Sequence, residues 1–293
     1  MKHKAGFVNI IGKPNAGKST LMNKLVGERL EKKKKKAQTT RHRIMGIVNN
    51  ENHQIIYSDT PGIFDPAYKL QQSMMNFIKD AFLDADIFLL IQEINDKNLD
   101  NTLLEKLSNT KKPIVLVLNK IDLQKQSDIL EIIDIWKSRI PNAYIIPASA
   151  LHNFNIDAVK DTIEELLPES PAYYSKDDLT DKPLRFFIAE IIREKILLQF
   201  KKEIPYSVEV VIEEYKDTGK LVRIRATIYV ERESQRKIII GESGKAIKGL
   251  GIESRKDIEK FIDNKIFLDL SVKVSKDWRD DENKLKRFGY PVE

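Results

Sequence analysis

The chain has 293 residues, 41% of them hydrophobic and 32% charged, a length and composition suited to two soluble globular domains that each bury a core. It contains no cysteine and only four histidines, which excludes disulfides and thiolate metal sites and leaves an oxygen-bound metal as the one to expect. The net charge of +6 favours a polyanionic partner, nucleic acid or an acidic membrane surface. No apolar run approaches eighteen residues and Met1-Lys2-His3-Lys4 is no signal peptide, so the cytoplasm is the expected compartment.

Phe7-Val8-Asn9-Ile10-Ile11 reads as a buried strand and Ser19 to Leu25 as a helix. Between them, Gly12-Lys13-Pro14-Asn15-Ala16-Gly17-Lys18-Ser19 has the spacing of a phosphate-binding loop. Glycines at 12 and 17 let successive N–H groups point into one concavity, and the helix N-terminus adds positive potential. Lys18 reaches the β- and γ-phosphates and Ser19 offers its hydroxyl to Mg²⁺. The candidate phosphate-binding residues are Gly12, Asn15, Ala16, Gly17, Lys18, Ser19 and Thr20.

A polar stretch without periodicity follows, Glu31-Lys32-Lys33-Lys34-Lys35-Lys36 and then Ala37 to Arg43, and reads as a loop. Strands are predicted at 44–49 and 54–58, the second running into Asp59-Thr60-Pro61-Gly62. There Asp59 can hold Mg²⁺ through water and the Gly62 N–H can meet a γ-phosphate, so Asp59, Thr60, Pro61 and Gly62 are candidate catalytic and switch residues. The next residue, Ile63, cannot orient a water molecule, so slow intrinsic hydrolysis that needs an added factor is expected. Helices at 68–82 and 100–109 alternate with strands at 86–91 and 113–118, which predicts an α/β sheet covered on both faces. The last strand delivers Asn119-Lys120-Ile121-Asp122 to its carboxyl end, where open sheets bind ligands. Asp122 can accept from the guanine ring N–H and exocyclic amine together, while Asn119 and the stem of Lys120 brace the base and the phosphate loop. A helix at 128–140 and a strand at 143–147 lead to Ser149-Ala150-Leu151, whose N–H groups can meet the guanine carbonyl oxygen. Taken together, the motifs predict a Mg²⁺-dependent enzyme that binds GTP and hydrolyses it to GDP.

A helix at 155–167 ends at Pro168, and the proline-containing stretch 169–183 reads as a linker between a nucleotide domain, 1–168, and a second domain, 184–293. The second domain is predicted as helix 184–199, strand 206–214, a turn at Lys216-Asp217-Thr218-Gly219, strand 221–231, a helix, a helix at 254–263 and strand 266–274. Its two middle helices flank Gly241-Glu242-Ser243-Gly244, a G-x-x-G loop in the order expected of a KH domain, where glycines let nucleic-acid phosphates approach the main chain. Arg232, Arg236, Lys237, Lys245 and Lys248 supply nearby positive charge, and with Gly241, Glu242, Ser243 and Gly244 form the candidate RNA-binding set.

The chain resembles the Era family of bacterial GTPases over its whole length. The matching segments are Gly12 to Thr20, Gln38-Thr39-Thr40-Arg41-His42-Arg43, Asp59 to Gly62, Asn119 to Asp122, Val230-Glu231-Arg232-Glu233-Ser234-Gln235 and Lys286-Arg287-Phe288-Gly289-Tyr290. The resemblance implies a P-loop GTPase domain followed by an α+β type II KH domain, monomeric, binding 16S ribosomal RNA near its 3′ end during small-subunit maturation, with peripheral association to the inner membrane. It also implies that Thr40 closes on Mg²⁺, giving Ser19, Thr40 and Asp59 as the metal set. Asn15 resembles the asparagine that helps hold K⁺ in GTPases with an apolar residue after the D-x-P-G turn, the other ion ligands lying within Lys32 to Gln38. Two segments depart from the family: the lysines from Lys32 to Lys36, which oppose a bound cation and predict little gain from K⁺ over Na⁺, and Glu242-Ser243, where a basic residue is usual.

Overall fold

The computed structural model describes residues 3–27, 40–96, 98–201 and 204–292. The lysine run, Gln38, Thr39 and the K⁺ ligands expected besides Asn15 lie outside the described residues. Contacts divide the described chain into two units, residues 3–27, 40–65 and 75–181 in the first and 66–74 with 182–292 in the second.

The first unit holds a six-stranded sheet of order β2-β3-β1-β4-β5-β6. Its strands are β1 (Lys4–Ile11), β2 (Ile44–Asn49), β3 (His53–Asp59), β4 (Ile87–Glu93), β5 (Ile114–Asn119) and β6 (Ala143–Pro147). Only β2 runs antiparallel to its neighbour, as the tight turn at 50–52 requires, and the others are parallel. The parallel strands are apolar on both faces, and two clusters of buried side chains form as a result. Val8, Ile10, Leu89, Ile91, Val115 and Val117 point to one face, while Phe88, Leu90, Leu116 and Leu118 point to the other. Among the described residues up to 181, the helices are α1 (Lys18–Val26), α2 (Lys69–Asp84), α3 (Asn101–Ser108), α4 (Gln126–Arg139) and α5 (Ile156–Leu166). Helix α3 starts where the Asp100 carboxylate accepts from the Leu103 N–H at 2.9 Å.

The stretch after α5 lies along the exposed edge of β2. The Ile47 N–H donates to the Leu179 carbonyl at 3.0 Å, and the Gln54 amide meets Tyr174 through its nitrogen and through its oxygen. Strand edges left open invite pairing with other chains, and this segment covers one.

The second unit carries a three-stranded sheet, β7 (Glu209–Asp217), β8 (Val222–Val230) and β9 (Ile266–Val274), with β8 central, antiparallel to β7 and parallel to β9. Helices α6 (Leu184–Gln199), α7 (Glu233–Ile240) and α8 (Lys245–Ile262) lie with it, and Ile188, Ile192, Ile239, Leu250 and Ile258 join Val222, Ile224, Ala226 and Ile228 in one core. Two predicted elements differ here. The turn falls at 218–221 and β7 starts three residues later than expected, because Gly219 at φ 80° and the Asp217 carboxylate, which accepts from its N–H at 2.7 Å, fix the reversal beyond Asp217. Helix α8 begins at Lys245 instead of 254 and runs through Gly249 and Gly251 despite their poor helix propensity, and Gly251 is where the helix approaches β9, a Cβ there lying 3.7 Å from Leu270.

The segment after β9 is built into this core. It forms a short 3-10 turn at Trp278–Asp280 and helix α9 (Glu282–Arg287), and both Trp278 and Tyr290 are buried. Trp278 donates its indole N–H to the Ser207 carbonyl at 3.0 Å, and the Tyr290 hydroxyl donates to the buried Glu209 carboxylate at 2.7 Å. Tyr290→Phe removes that donor from a carboxylate hidden from water and is expected to destabilise the second unit by about 1–3 kcal/mol. A lowered urea midpoint checks this, and an unchanged midpoint would show the bond contributes nothing.

Candidate nucleotide site and nucleic-acid interface

Strand β1 is followed by Gly12 at φ 146°, where a Cβ would stand 2.3 Å from the Ile91 carbonyl oxygen of β4. Gly17, at φ 102°, forms the N-cap of α1, and a Cβ there would stand 2.2 Å from the Asn119 amide nitrogen. Neither position tolerates a side chain, so backbone lines the loop. Asn15 also takes a left-handed φ of 64°, Ala16 is buried, and Thr20 is exposed in the first turn of α1. The Lys18 ammonium curls back over the loop and donates to the carbonyls of Gly12 at 2.9 Å and Lys13 at 2.7 Å. Burial pushes the Lys18 pKa from 10.5 down to about 8, with the Asp59 charge opposing the shift.

Three oxygens converge at the start of α1. The Ser19 hydroxyl donates to Asp59 Oδ2 at 2.7 Å and lies 3.1 Å from the Thr40 hydroxyl, which is itself 3.3 Å from Asp59 Oδ2. Two hydroxyls and a buried carboxylate form a hard, oxygen-only donor set, which suits Mg²⁺ and leaves room for water and phosphate ligands. In the neighbouring turn the Thr60 hydroxyl donates to the Ile10 carbonyl at 2.8 Å and so turns toward β1. Pro61 is buried, and a Cβ on Gly62 would lie 2.7 Å from the Pro14 ring. Ile63 packs against the cluster around Ile11 and Phe88, while its N–H reaches the Gly12 carbonyl at 3.3 Å.

At the carboxyl end of β5, the buried Asn119 side chain donates to the Ala16 carbonyl at 2.8 Å and accepts from the Ala150 N–H at 3.0 Å. One amide thus ties the phosphate loop to the Ser149-Ala150-Leu151 turn. Asp122 lies on a 3-10 turn, Ile121–Leu123, and accepts the Ser149 hydroxyl proton at 2.6 Å. That hydrogen bond is the main reason its carboxyl is held below the ordinary carboxylate range. His152 stands 3.8 Å from the other Asp122 oxygen, and Leu151 is 68% exposed. Lys120, at φ 66°, places its ammonium 2.5 Å from Glu93, and Lys13 pairs with Asp96 at 2.7 Å. Sequence motifs pass over Glu93, Asp96 and His152 because those residues reach the site only through folding.

In the second unit, α7 opens with the buried Gln235 amide oxygen accepting from the Glu231 and Arg232 N–H groups at 3.0 and 3.1 Å. The G-x-x-G loop follows with three left-handed residues, Gly241 at φ 72°, Ser243 at φ 49° and Gly244 at φ 76°. A Cβ on Gly241 would meet Ala246 at 2.6 Å, so glycine is required there twice over. Glu242 and Ser243 are exposed at the loop tip, and Lys245 starts α8. Arg236 is paired with Glu233 at 2.6 Å, whereas among the described residues Arg232, Lys237, Lys245 and Lys248 have no carboxylate within 4.0 Å. Residues 182–293 hold 25 of the 50 Lys and Arg but 20 of the 44 Asp and Glu, so most of the positive excess belongs to them.

Residues 7–120 match the family model described as a 50S ribosome-binding GTPase, and residues 203–279 match the KH domain model. Across 292 residues the chain is 42% identical to GTPase Era of Staphylococcus haemolyticus, covering 99% of this chain and 98% of that one. The chain belongs to the Era family of GTPases. A solved structure of Era in complex with MgGDPNP and nucleotides 1506–1542 of 16S ribosomal RNA matches it with a TM-score of 0.90 at 35% identity, covering 99% of this chain and all of that one. An Aquifex aeolicus Era variant bound to GDP and AlF₄⁻ matches with a TM-score of 0.88 at 34% identity over the same share of both chains. The protein is therefore a P-loop GTPase domain joined to a KH domain, as the order of motifs along the chain predicted.

Proposed function

We propose that this Era-family member uses its guanine-nucleotide state to time the grip of its KH domain on the 3′ region of 16S ribosomal RNA during small-subunit maturation. The observation that carries the reading is that the solved Era structure, alike over nearly the whole chain, holds MgGDPNP and 16S nucleotides 1506–1542 together. Residues 1–168 act as the nucleotide domain, 169–183 as the connection and 184–293 as the RNA-binding domain. Asp122 reads the base with Asn119, Ser149, Ala150 and Leu151 around it, and the phosphate loop with Lys18 orients the triphosphate. Ser19, Thr40 and Asp59 hold the metal, which when bound neutralises charge on the β- and γ-phosphates.

No helix among the described residues is long and apolar enough to cross a membrane. The chain works in the cytoplasm as a monomer, and peripheral contact with the inner membrane is a lesser role resting on net positive charge. The test is binding of a 16S 3′-end RNA measured with MgGTP, with MgGDP and without nucleotide, alongside GTP turnover with and without that RNA. RNA affinity that ignores the nucleotide, or preference for anionic vesicles over RNA, would overturn the proposal.

Glu242 puts an exposed carboxylate at the tip of the loop proposed to meet a phosphate, with no cation paired to it among the described residues. Glu242→Lys is expected to tighten RNA binding and steepen its salt dependence by about 0.7 in the log–log slope, the value for one added single-strand phosphate contact. Titrations at several salt concentrations measure this, and unchanged affinity at low salt would remove the loop from the interface.

A further inference from the structure

We propose that Glu93 and Asp96, at the carboxyl end of β4, are positioning residues for guanine nucleotide, fastening the phosphate loop and the base loop to a single turn. The proposal deepens the nucleotide-site reading above and rests on it. Glu93 is the last residue of β4 and lies beside Asn119 in the sheet register. The Ile94 N–H donates to the Asn119 carbonyl at 2.9 Å, and the Asp96 N–H closes the turn onto the Glu93 carbonyl at 3.0 Å. From this turn the two carboxylates reach in two directions. Glu93 meets the ammonium of Lys120, second residue of Asn-Lys-Ile-Asp, at 2.5 Å, and Asp96 meets that of Lys13, second residue of the phosphate loop, at 2.7 Å. Between them the Asn95 side chain accepts from the amide of Gln124, two residues beyond Asp122.

These ion pairs differ from ordinary surface pairs, since each partner is only about a third exposed: 32% for both Glu93 and Lys120, 36% for Lys13 and 33% for Asp96. Such half-buried, charge-assisted bonds hold a long side chain in one rotamer. Lys120 is the side chain whose rotamer matters, because its methylene stem flanks the base only while its head is held back toward β4. Asn119 already ties the backbones of the two loops through Ala16 and Ala150, so removing Glu93 leaves the loops in place and frees only the lysine.

Because the base is gripped alike in the ground and transition states, a positioning role acts on binding and spares chemistry. Glu93→Ala is expected to speed dissociation of fluorescent GDP about tenfold and to raise KM for GTP by a similar factor, with kcat unchanged. Glu93→Gln keeps an acceptor for Lys120 and should lose only about threefold. The double variant Glu93→Ala/Lys120→Met should release GDP no faster than Lys120→Met alone, and the nucleotide-free forms should melt together. Unchanged dissociation in Glu93→Ala, multiplied losses in the double variant, or a fall in kcat at constant KM would each overturn the proposal. The Asp122→Asn variant separates the two failures. If it abandons GTP while Glu93→Ala keeps it, only the positioning role falls, and if it too keeps GTP, the site reading falls.

Discussion

Asp122→Asn is expected to move this GTPase from GTP to XTP. In the proposed site the carboxylate accepts two hydrogen bonds from guanine, one from the ring N–H and one from the exocyclic amine, whereas xanthine carries a carbonyl where that amine stands. An asparagine amide at the same place accepts from the ring and donates to the carbonyl. Ser149 already orients the side chain with its 2.6 Å hydrogen bond, and an amide oxygen can accept that proton equally well, so geometry survives the change. A site built on such a bond rejects the unmatched partner by about 10⁴, since the wrong base leaves buried polar groups unpaired. The expected result is a loss of GTP affinity on that order with a comparable gain for XTP, read by competition against a fluorescent nucleotide. A variant that keeps GTP affinity and gains none for XTP shows that Asp122 does not read the base.

The nucleotide motifs were legible in the sequence because each is a local demand on the backbone. Gly12 and Gly17 must lack a Cβ, and the apolar runs before the phosphate loop and before Asn119 must be buried strands. The α/β alternation and the helix-strand order of the second unit follow from the same short-range periodicity. What stayed hidden depends on contacts distant in the chain. The first turns of α8 stayed hidden because the poor helix propensity of Gly249 and Gly251 is visible in the sequence and the approach of α8 to β9 is not. The tail from Trp278 to Tyr290 carries too few apolar residues for a periodic signal, yet Ser207 and Glu209 draw it into the core. Glu93 and Asp96 look like any acidic turn until the sheet register sets Glu93 beside Asn119 and the turn brings Asp96 to Lys13. Lys18 belongs to both groups, since its motif was plain and the strain of its burial was not.

Lys18→Met is expected to weaken nucleotide binding and strengthen the nucleotide-free fold at the same time. Lys18 is 7% exposed, and burial lowers its pKa from 10.5 to about 8. Between those two values the folded protein binds fewer protons than the unfolded chain, so stability rises with pH across that window and is lowest below about 8. The difference corresponds to about 3 kcal/mol at pH 7, offset in the variant by the hydrogen bonds to Gly12 and Lys13 that it loses, each worth about 1 kcal/mol. The variant should therefore melt higher than the parent at pH 7, the gap should close within about one unit above pH 8, and the order should reverse as pH approaches 10.5. Phosphate reverses the sign: a bound triphosphate favours the charged ammonium, so binding takes up a proton wherever the free site is neutral. Affinity of the parent for GDP should hold steady to about pH 8 and then fall about tenfold per unit, while that of Lys18→Met should be about 10² to 10³ lower and flat. Calorimetric titration with GDP from pH 7 to 9.5 and melting curves without nucleotide give both halves, and a parent affinity that does not change across that range would sink the argument.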